Sequence, residues 1–178
     1  MLQKTRAEKV GEIFPTFISK YPSPQSLASA TIKELENDLL PLGLNKRRAL
    51  LIKRTAEIIC KQFNGEVPGD YESLEKLPGV GQYIASAVLC FGFGEKVLPV
   101  DVNAKRLFER VFGIEIKNIR RLDGYVRDFL SILLTPEEDV MGFVWAILDF
   151  SALICKKRDP NHGECPLKDI CKFNQRSQ

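Results

Sequence analysis

The sequence has no apolar run long enough to span a bilayer, and its first ten residues, MLQKTRAEKV, lack the apolar stretch of a secretion signal. We therefore expect an intracellular protein with no membrane segment, whose thiols stay reduced. Strand patterns are scarce, and the sequence contains neither an internal repeat nor a low-complexity segment. These absences exclude membrane-spanning, solenoid and disulfide-stapled secreted proteins.

Histidine and cysteine are also rare, since the 178 residues include one histidine and five cysteines. With 44% hydrophobic and 28% charged residues, the chain can bury a core in one or two domains. Two basic runs permit a polyanionic partner, although such runs are also common on solvated helix faces. Their members are Lys46, Arg47, Arg48, Lys53 and Arg54, then Lys105, Arg106, Arg110, Lys117, Arg120 and Arg121.

Apolar residues recur at helical spacing through most of the chain. One stripe contains Ile52, Ala56, Ile59 and Phe63, and a second contains Ala104, Leu107, Phe108 and Val111. Further helices are predicted over residues 26–30, 31–40, 84–93, 126–134 and 136–154. Proline and glycine separate these segments. We therefore predict an all-α fold.

The stretch LPGVGQYIASAVLCFGFG, residues 77–94, predicts a tight turn followed by a buried helix. Gly79 and Gly81 have no side chains, so a phosphate could approach the backbone N–H groups where the helix begins. Such a contact positions a nucleic acid without reading its sequence. The alternative is an ordinary helix-turn-helix packed within a core.

Asp101 immediately precedes the second amphipathic stripe, in VLPVDVNAKRLFERVFGI. Its default role is a helix N-cap, in which the carboxylate accepts N–H bonds from the first turn. A capping role is compatible with a catalytic one, because the helix dipole keeps such a carboxylate ionised and the cap holds it in a fixed direction.

These motifs together resemble the helix-hairpin-helix DNA glycosylase superfamily of endonuclease III and the MutY adenine glycosylases. The resemblance rests on LPGVGQYIA, the aspartate of VDVNAKR, the phrase ILDFSALIC and the cysteine-bearing tail, which occur in the expected order. Within the superfamily the chain most resembles the archaeal-type thymine-DNA glycosylases, which act on thymine or uracil opposite guanine. The resemblance implies double-stranded DNA with a mismatched or damaged base as partner, bound by a monomer.

The tail CKKRDPNHGECPLKDIC, residues 155–171, holds three of the five cysteines and the only histidine. Iron–sulfur members of the superfamily bind a four-iron, four-sulfur cluster through C-x6-C-x2-C-x5-C. Cys155, Cys165 and Cys171 match three of these ligands, and His162 occupies the second position. The resemblance therefore implies a 4Fe-4S cluster. A Cys₃His set is equally normal for structural zinc. Two further alternatives are a three-cysteine cluster with water or a distant residue as its fourth ligand, and a solvated loop with a buried cysteine.

The resemblance also implies a role for individual residues. Asp101 is the expected catalytic aspartate, and Tyr83 stands where bifunctional members carry a lysine nucleophile, which implies a monofunctional enzyme. Gln3 and Leu44 are the expected wedges that fill the gap in the DNA. The other expected DNA-binding residues are Lys46, Arg47, Gly79, Val80, Gly81 and Gln82.

We therefore expect two helical lobes, residues 1–94 with the hairpin and residues 95–178 with Asp101 and the metal loop, and DNA across the cleft between them. The family's preceding helix is missing here, so either the recorded start is internal or the cluster lobe is reduced. NAKR resembles the MutY pattern, and adenine opposite oxidised guanine or guanine is therefore the alternative substrate. A non-catalytic, metal-stabilised DNA-binding module is the alternative from another class.

Overall fold

The structure, a computed structural model, describes residues 1–2, 4–117 and 139–175. Helices and a short 3₁₀ turn make up all the regular structure of these residues, which confirms the predicted all-α class. None of the described helices is long and apolar enough to cross a membrane. The chain divides into two compact units, Met1–Val80 and Gly81–Gln178. The lobe boundary predicted at Gly94 stays a prediction, as does the intracellular location.

Three short helices described in the first unit begin at capping side chains. At the start of α3 (Ile32–Asp38), Thr31 Oγ1 accepts the Glu34 N–H at 3.2 Å, and Glu34 Oε2 accepts the Thr31 N–H at 2.8 Å. This reciprocal box satisfies two backbone donors that the helix itself leaves unpaired. The elements are α1 (Ala7–Lys20), α2 (Pro24–Ser29), α3 (Ile32–Asp38), a 3₁₀ turn (Leu40–Leu42), α4 (Asn45–Gln62) and α5 (Tyr71–Glu75).

The core of the first unit lies between α3, the 3₁₀ turn and α4. Leu35, Leu39 and Ala49 are completely buried, and Leu42 is nearly so. Of the stripe predicted on α4, Ala56 and Ile59 are buried, whereas Phe63 lies just past the helix as its C-cap. This packing holds the first turn of α4 at the surface, where Lys46 and Arg47 are exposed.

The second unit contains α6 (Gln82–Phe93), α7 (Val102–Phe112), α8 (Val140–Leu153) and α9 (Lys172–Gln175). The predicted stripe is confirmed on α7, where Ala104, Leu107, Phe108 and Val111 are all buried. Leu107 and Val111 pack against Cys155 and Cys171, so the tail is docked on α7. The helix predicted over 126–134, and the first residues of the one predicted over 136–154, lie outside the described residues.

Candidate active site and metal loop

Leu44 occupies a sharp turn at the entry to α4. Its backbone is left-handed, with φ 52° and ψ 25°, and 55% of its side chain is exposed. A non-glycine residue in this conformation costs roughly 1–2 kcal/mol, so the surrounding contacts must hold it there. An exposed leucine on a strained turn is consistent with the predicted wedge role.

The first basic run does not form a continuous exposed surface. This corrects part of the expectation from sequence, which treated all of its cations as one charged face. Arg48 is only 9% exposed, and Lys53 Nζ donates to the carbonyls of Ala28 and Ala30 at 2.6 and 2.7 Å. These two cations stabilise the fold by satisfying backbone oxygens. Lys46 and Arg47, in contrast, form no ion pair with a described residue and remain available to an anion.

The glycine-rich turn spans the end of one compact unit and the beginning of the other. In the first unit, Gly79 has φ +77°, a conformation that favours glycine, and a Cβ there would lie 3.2 Å from Leu51 Cδ1, so that leucine would have to shift by a few tenths of an ångström. The Val80 N–H donates to the Leu77 carbonyl at 3.1 Å, and Thr55 Oγ1 donates to the Pro78 carbonyl at 2.9 Å. These bonds fix the turn in a single conformation.

In the second unit, Gly81 is the N-cap of α6, and no side chain caps the first turn of that helix. A Cβ on Gly81 would meet no atom within 4 Å, so the space beside this helix end is open. The helix dipole favours an anion at such an end. Gly81 and Gln82 therefore lie at the open start of α6, and the phosphate contact expected there stays a prediction.

The carboxylate of Asp101 caps α7, as predicted, and its hydrogen bonds fix its orientation. Asp101 Oδ1 accepts the backbone N–H groups of Asn103 and Ala104 at 2.9 and 2.8 Å, and Oδ2 accepts the Asn103 side-chain amide at 3.0 Å. A carboxylate has about four accepting positions. Among the described residues, therefore, no donor fills the remaining position on Oδ2.

Arg106 extends this arrangement to the beginning of the tail. Its Nη1 donates to Asn103 Oδ1 at 2.9 Å, its Nη2 to the Ser151 carbonyl at 2.6 Å and its Nε to the Cys155 carbonyl at 2.9 Å. The Asn103 amide thus donates to a carboxylate and accepts from a guanidinium, which defines its orientation. Neither Asn103 nor Arg106 was predicted from sequence as a site residue. Their positions two and five residues after Asp101, on the helix that Asp101 caps, are the signal that could have identified them.

Tyr83 lies on the first turn of α6, and 43% of its surface is exposed. Burial raises the pKa of the Tyr83 phenol, and the negative charge of Asp101 raises it further. The phenol therefore stays neutral at physiological pH. It can donate a hydrogen bond or line a pocket, but it cannot form the Schiff base that a lysine would form.

The four predicted metal ligands surround one small cavity. Cys155, His162, Cys165 and Cys171 all line a space of about 20 Å³, together with apolar side chains from α7 and α8. Cys155 and Cys171 are buried, and the His162 ring stacks on Phe173 with 6.1 Å between ring centroids. The structure thus brings together the residues that the spacing selected.

Arg110 stabilises the start of the metal loop from α7. It donates to the carbonyls of Lys156 and Lys157 at 2.7 and 3.2 Å, and its Nη1 lies 3.6 Å from Cys155 Sγ. Arg110 was predicted only as part of a basic surface, and its contacts correct that interpretation.

The donor set fits a metal group in its chemistry and in its placement around one cavity. Among the described residues, however, no three histidine, cysteine or acidic side chains are close enough together to share a single metal ion. A tetrahedral zinc site needs four donors within about 2.3 Å of one point, whereas a four-iron cluster presents separate irons to its ligands. Whether the loop binds a cluster or zinc stays a prediction. Gln3, the other predicted wedge, lies outside the described residues.

Comparisons with known proteins agree with this arrangement. Residues 1–122 match the family of HhH-GPD superfamily base excision DNA repair proteins. A thymine/uracil-DNA glycosylase of Pyrobaculum aerophilum is 36% identical over 100% of this chain and 79% of its own length. An adenine DNA glycosylase of Buchnera aphidicola is 35% identical over 97% of this chain, but this match covers only 48% of that enzyme.

The solved structure of a thermostable thymine-DNA glycosylase superimposes with a TM-score of 0.88 and 29% sequence identity, over 98% of this chain and 80% of that chain. The similarity of sequence and the similarity of structure both extend over nearly the whole chain. They confirm the resemblance that the hairpin, the aspartate and the tail indicated. The chain therefore belongs to the HhH-GPD superfamily of base excision DNA repair proteins.

Proposed function

We propose that this protein is a monofunctional DNA glycosylase that excises thymine or uracil mispaired with guanine. The observation that carries the proposal is the state of Asp101, a carboxylate held in place by three hydrogen bonds with one accepting position left on Oδ2. The full-length match to a thymine/uracil-DNA glycosylase supports the choice of base.

The proposed reaction begins with extrusion of the mispaired base from the helix, because its glycosidic bond is inaccessible in stacked DNA. As this bond breaks, positive charge develops on the sugar, and the fixed negative charge of Asp101 stabilises it. The carboxylate then accepts a proton from the water that attacks the sugar carbon. The base departs with the bonding electron pair, and the product is an abasic site in an intact strand.

Tyr83 lines the proposed base pocket beside Asp101. Because burial and the Asp101 charge both raise its pKa, the phenol remains neutral and does not repel the departing base, which carries negative charge. No lysine stands at this position, so the chain lacks the amine that would open the sugar and cut the strand. The enzyme is therefore proposed to act by hydrolysis alone.

Contacts to the DNA backbone are proposed for two helix ends. Lys46 and Arg47 lie in the first turn of α4, where cations are unfavourable for the helix itself because they lie at the positive end of its dipole. A DNA phosphate would relieve this repulsion. Gly79, Val80, Gly81 and Gln82 would bring backbone amides to a second phosphate, and Leu44 would press into the duplex.

Cys155, His162, Cys165 and Cys171 would hold the metal group of this loop, a 4Fe-4S cluster by resemblance to the family, with structural zinc as the alternative. When bound, the cluster would cross-link a polar tail to α7, which increases the stability of the second unit. Freshly purified protein should be brown and contain iron. A colourless protein containing only zinc would replace the cluster by a zinc site, and absence of both metals would remove the ligand assignment.

His162 can be tested separately from the cysteines. The variant His162→Ala should lose iron faster than the wild type when a chelator is added, whereas the control Asn161→Ala should not. Asn161 lies in the same loop and lines the same cavity, but its side chain bonds only locally, to Glu164. Equal iron retention in both variants would remove His162 from the ligand set.

The choice of base is tested by measuring free base released from duplexes with T/G, U/G, A/G and A/oxidised-guanine pairs. Release of thymine or uracil, but not adenine, is expected. The adenine alternative is supported by the 35% identity to an adenine glycosylase, and release of adenine alone would establish it. Binding to these duplexes without release of any base would favour the non-catalytic DNA-binding module.

A further inference from the structure

Arg48 joins two exposed segments that are far apart in the sequence. Its Nε donates to the Gly43 carbonyl at 2.9 Å, its Nη2 donates to Thr5 Oγ1 at 2.5 Å, and its Nη1 donates to the Met1 carbonyl. Thr5 Oγ1 also donates to the Leu42 carbonyl at 3.1 Å. One guanidinium therefore binds both the chain start and the turn that precedes α4.

The main chain of Arg48 holds the same turn. Its N–H donates to the Leu44 carbonyl at 2.9 Å, which is the bond that begins α4. Backbone and side chain together hold Gly43 and Leu44, both of which have positive φ. A left-handed leucine persists only where its surroundings determine it, and Arg48 supplies these contacts.

The two segments that Arg48 joins both present exposed apolar side chains. Leu2 is 61% exposed and Leu44 is 55% exposed, whereas Arg48 itself is 9% exposed. A charged side chain this deeply buried is costly unless it is paired or hydrogen-bonded. Here the nitrogens of one planar guanidinium donate hydrogen bonds to acceptors on two separate segments. The single ammonium group of a lysine cannot reproduce this geometry.

We propose that Arg48 is a positioning residue for opening the DNA duplex. By holding Met1 and Thr5 against the Gly43–Leu44 turn, it makes one rigid surface that enters the gap left by the extruded base. Rigidity matters because a side chain that must order itself on binding loses conformational entropy at that moment. This inference rests on the proposed function, since it assigns Arg48 a part in base extrusion and none in bond cleavage.

The test compares excision from a U/G duplex with excision from the same uracil strand without its complement. In Arg48→Met, single-turnover excision from the duplex should fall by roughly 10- to 100-fold, as expected for displaced positioning groups. Excision from the single strand should change by at most about 3-fold, because no gap has to be filled and the chemical step is intact. Arg48→Lys and Thr5→Val should also lose excision from the duplex but not from the single strand, by smaller factors. The matched control is Arg54→Met, on the exposed face of α4, which should keep the ratio between the two substrates that the wild type shows.

A second measurement does not depend on chemistry. With 2-aminopurine placed beside the target, the wild type should increase fluorescence on binding as the base unstacks, and Arg48→Met should give a weaker increase at saturation. Equal fluorescence in both proteins, or an equal loss of excision on both substrates, would overturn the role of Arg48 and leave the glycosylase assignment standing. If the wild type releases no base from either substrate, the proposed function fails, and the fluorescence alone decides whether Arg48 supports duplex opening.

Discussion

Substitution of Asp101 by asparagine separates its capping role from its proposed catalytic role. Asparagine keeps an oxygen that can accept the Asn103 and Ala104 backbone N–H groups, so the cap itself should cost only a few tenths of a kcal/mol. The other end of the new side chain is an NH₂ group, and it would face the Asn103 NH₂ that now donates to Asp101 Oδ2 across 3.0 Å. Two donors then oppose each other.

The Asn103 amide cannot rotate to resolve this conflict, because its oxygen already accepts from Arg106 Nη1 at 2.9 Å. The variant should therefore lose the equivalent of one hydrogen bond, or about 1 kcal/mol. For a chain of this size that corresponds to a melting temperature lower by about 2–4 °C. Single-turnover excision should fall by much more, roughly 100- to 10,000-fold, because a charge required in the transition state is removed.

The double variant Asp101→Asn/Asn103→Asp is the matched control. The amide at position 101 would donate to the carboxylate at position 103, and this carboxylate would accept from Arg106. The hydrogen bonds are thereby restored, while the negative charge moves from position 101 to position 103. Melting temperature should return to the wild-type value, and excision should stay low. The reasoning is refuted if the stabilised double variant regains wild-type excision, or if Asp101→Asn alone excises at nearly the wild-type rate.

Three further predictions concern chemistry, pH and salt. Borohydride should trap almost no covalent complex with the wild type, and product strands should break only after alkali or heat; efficient trapping would identify an amine acting as a lyase. Because the pKa of Tyr83 is raised above its ordinary value of 10.0, the unfolded chain ionises first as pH rises. The contribution of Tyr83 to the free energy of unfolding should therefore decrease above pH 10. When this free energy is measured by denaturant titration at several pH values, it should fall less steeply with pH in Tyr83→Phe than in the wild type; the same dependence on pH in both proteins would contradict this. Lys46→Ala and Arg47→Ala should each weaken duplex binding and reduce the slope of log affinity against log salt by roughly 1, whereas an unchanged slope would exclude a phosphate contact.

The features that could be predicted from sequence are those set by short separations along the chain. The α7 stripe of Ala104, Leu107 and Phe108 follows from helical periodicity, and the Asp101 cap follows from its position before that stripe. The resemblance of the tail to the family's iron–sulfur pattern implied a set of donors that the structure places around one cavity. In each case the information lies within a few turns of helix or within one loop.

The roles of the buried arginines depended on the tertiary structure. In sequence, Arg48 cannot be distinguished from its exposed neighbour Arg47, and Arg106 and Arg110 read as part of a basic surface. The acceptor of Arg48 on Met1 lies 47 residues away, and that of Arg106 on Cys155 lies 49 residues away. The sequence alone determined the buried stripe of α7, the capping aspartate and the spacing of the tail donors, because local backbone geometry and periodic burial govern them. Only the tertiary structure decided which of these cations bind backbone carbonyls and which stay exposed at the surface, because that choice depends on packing between segments remote in the chain.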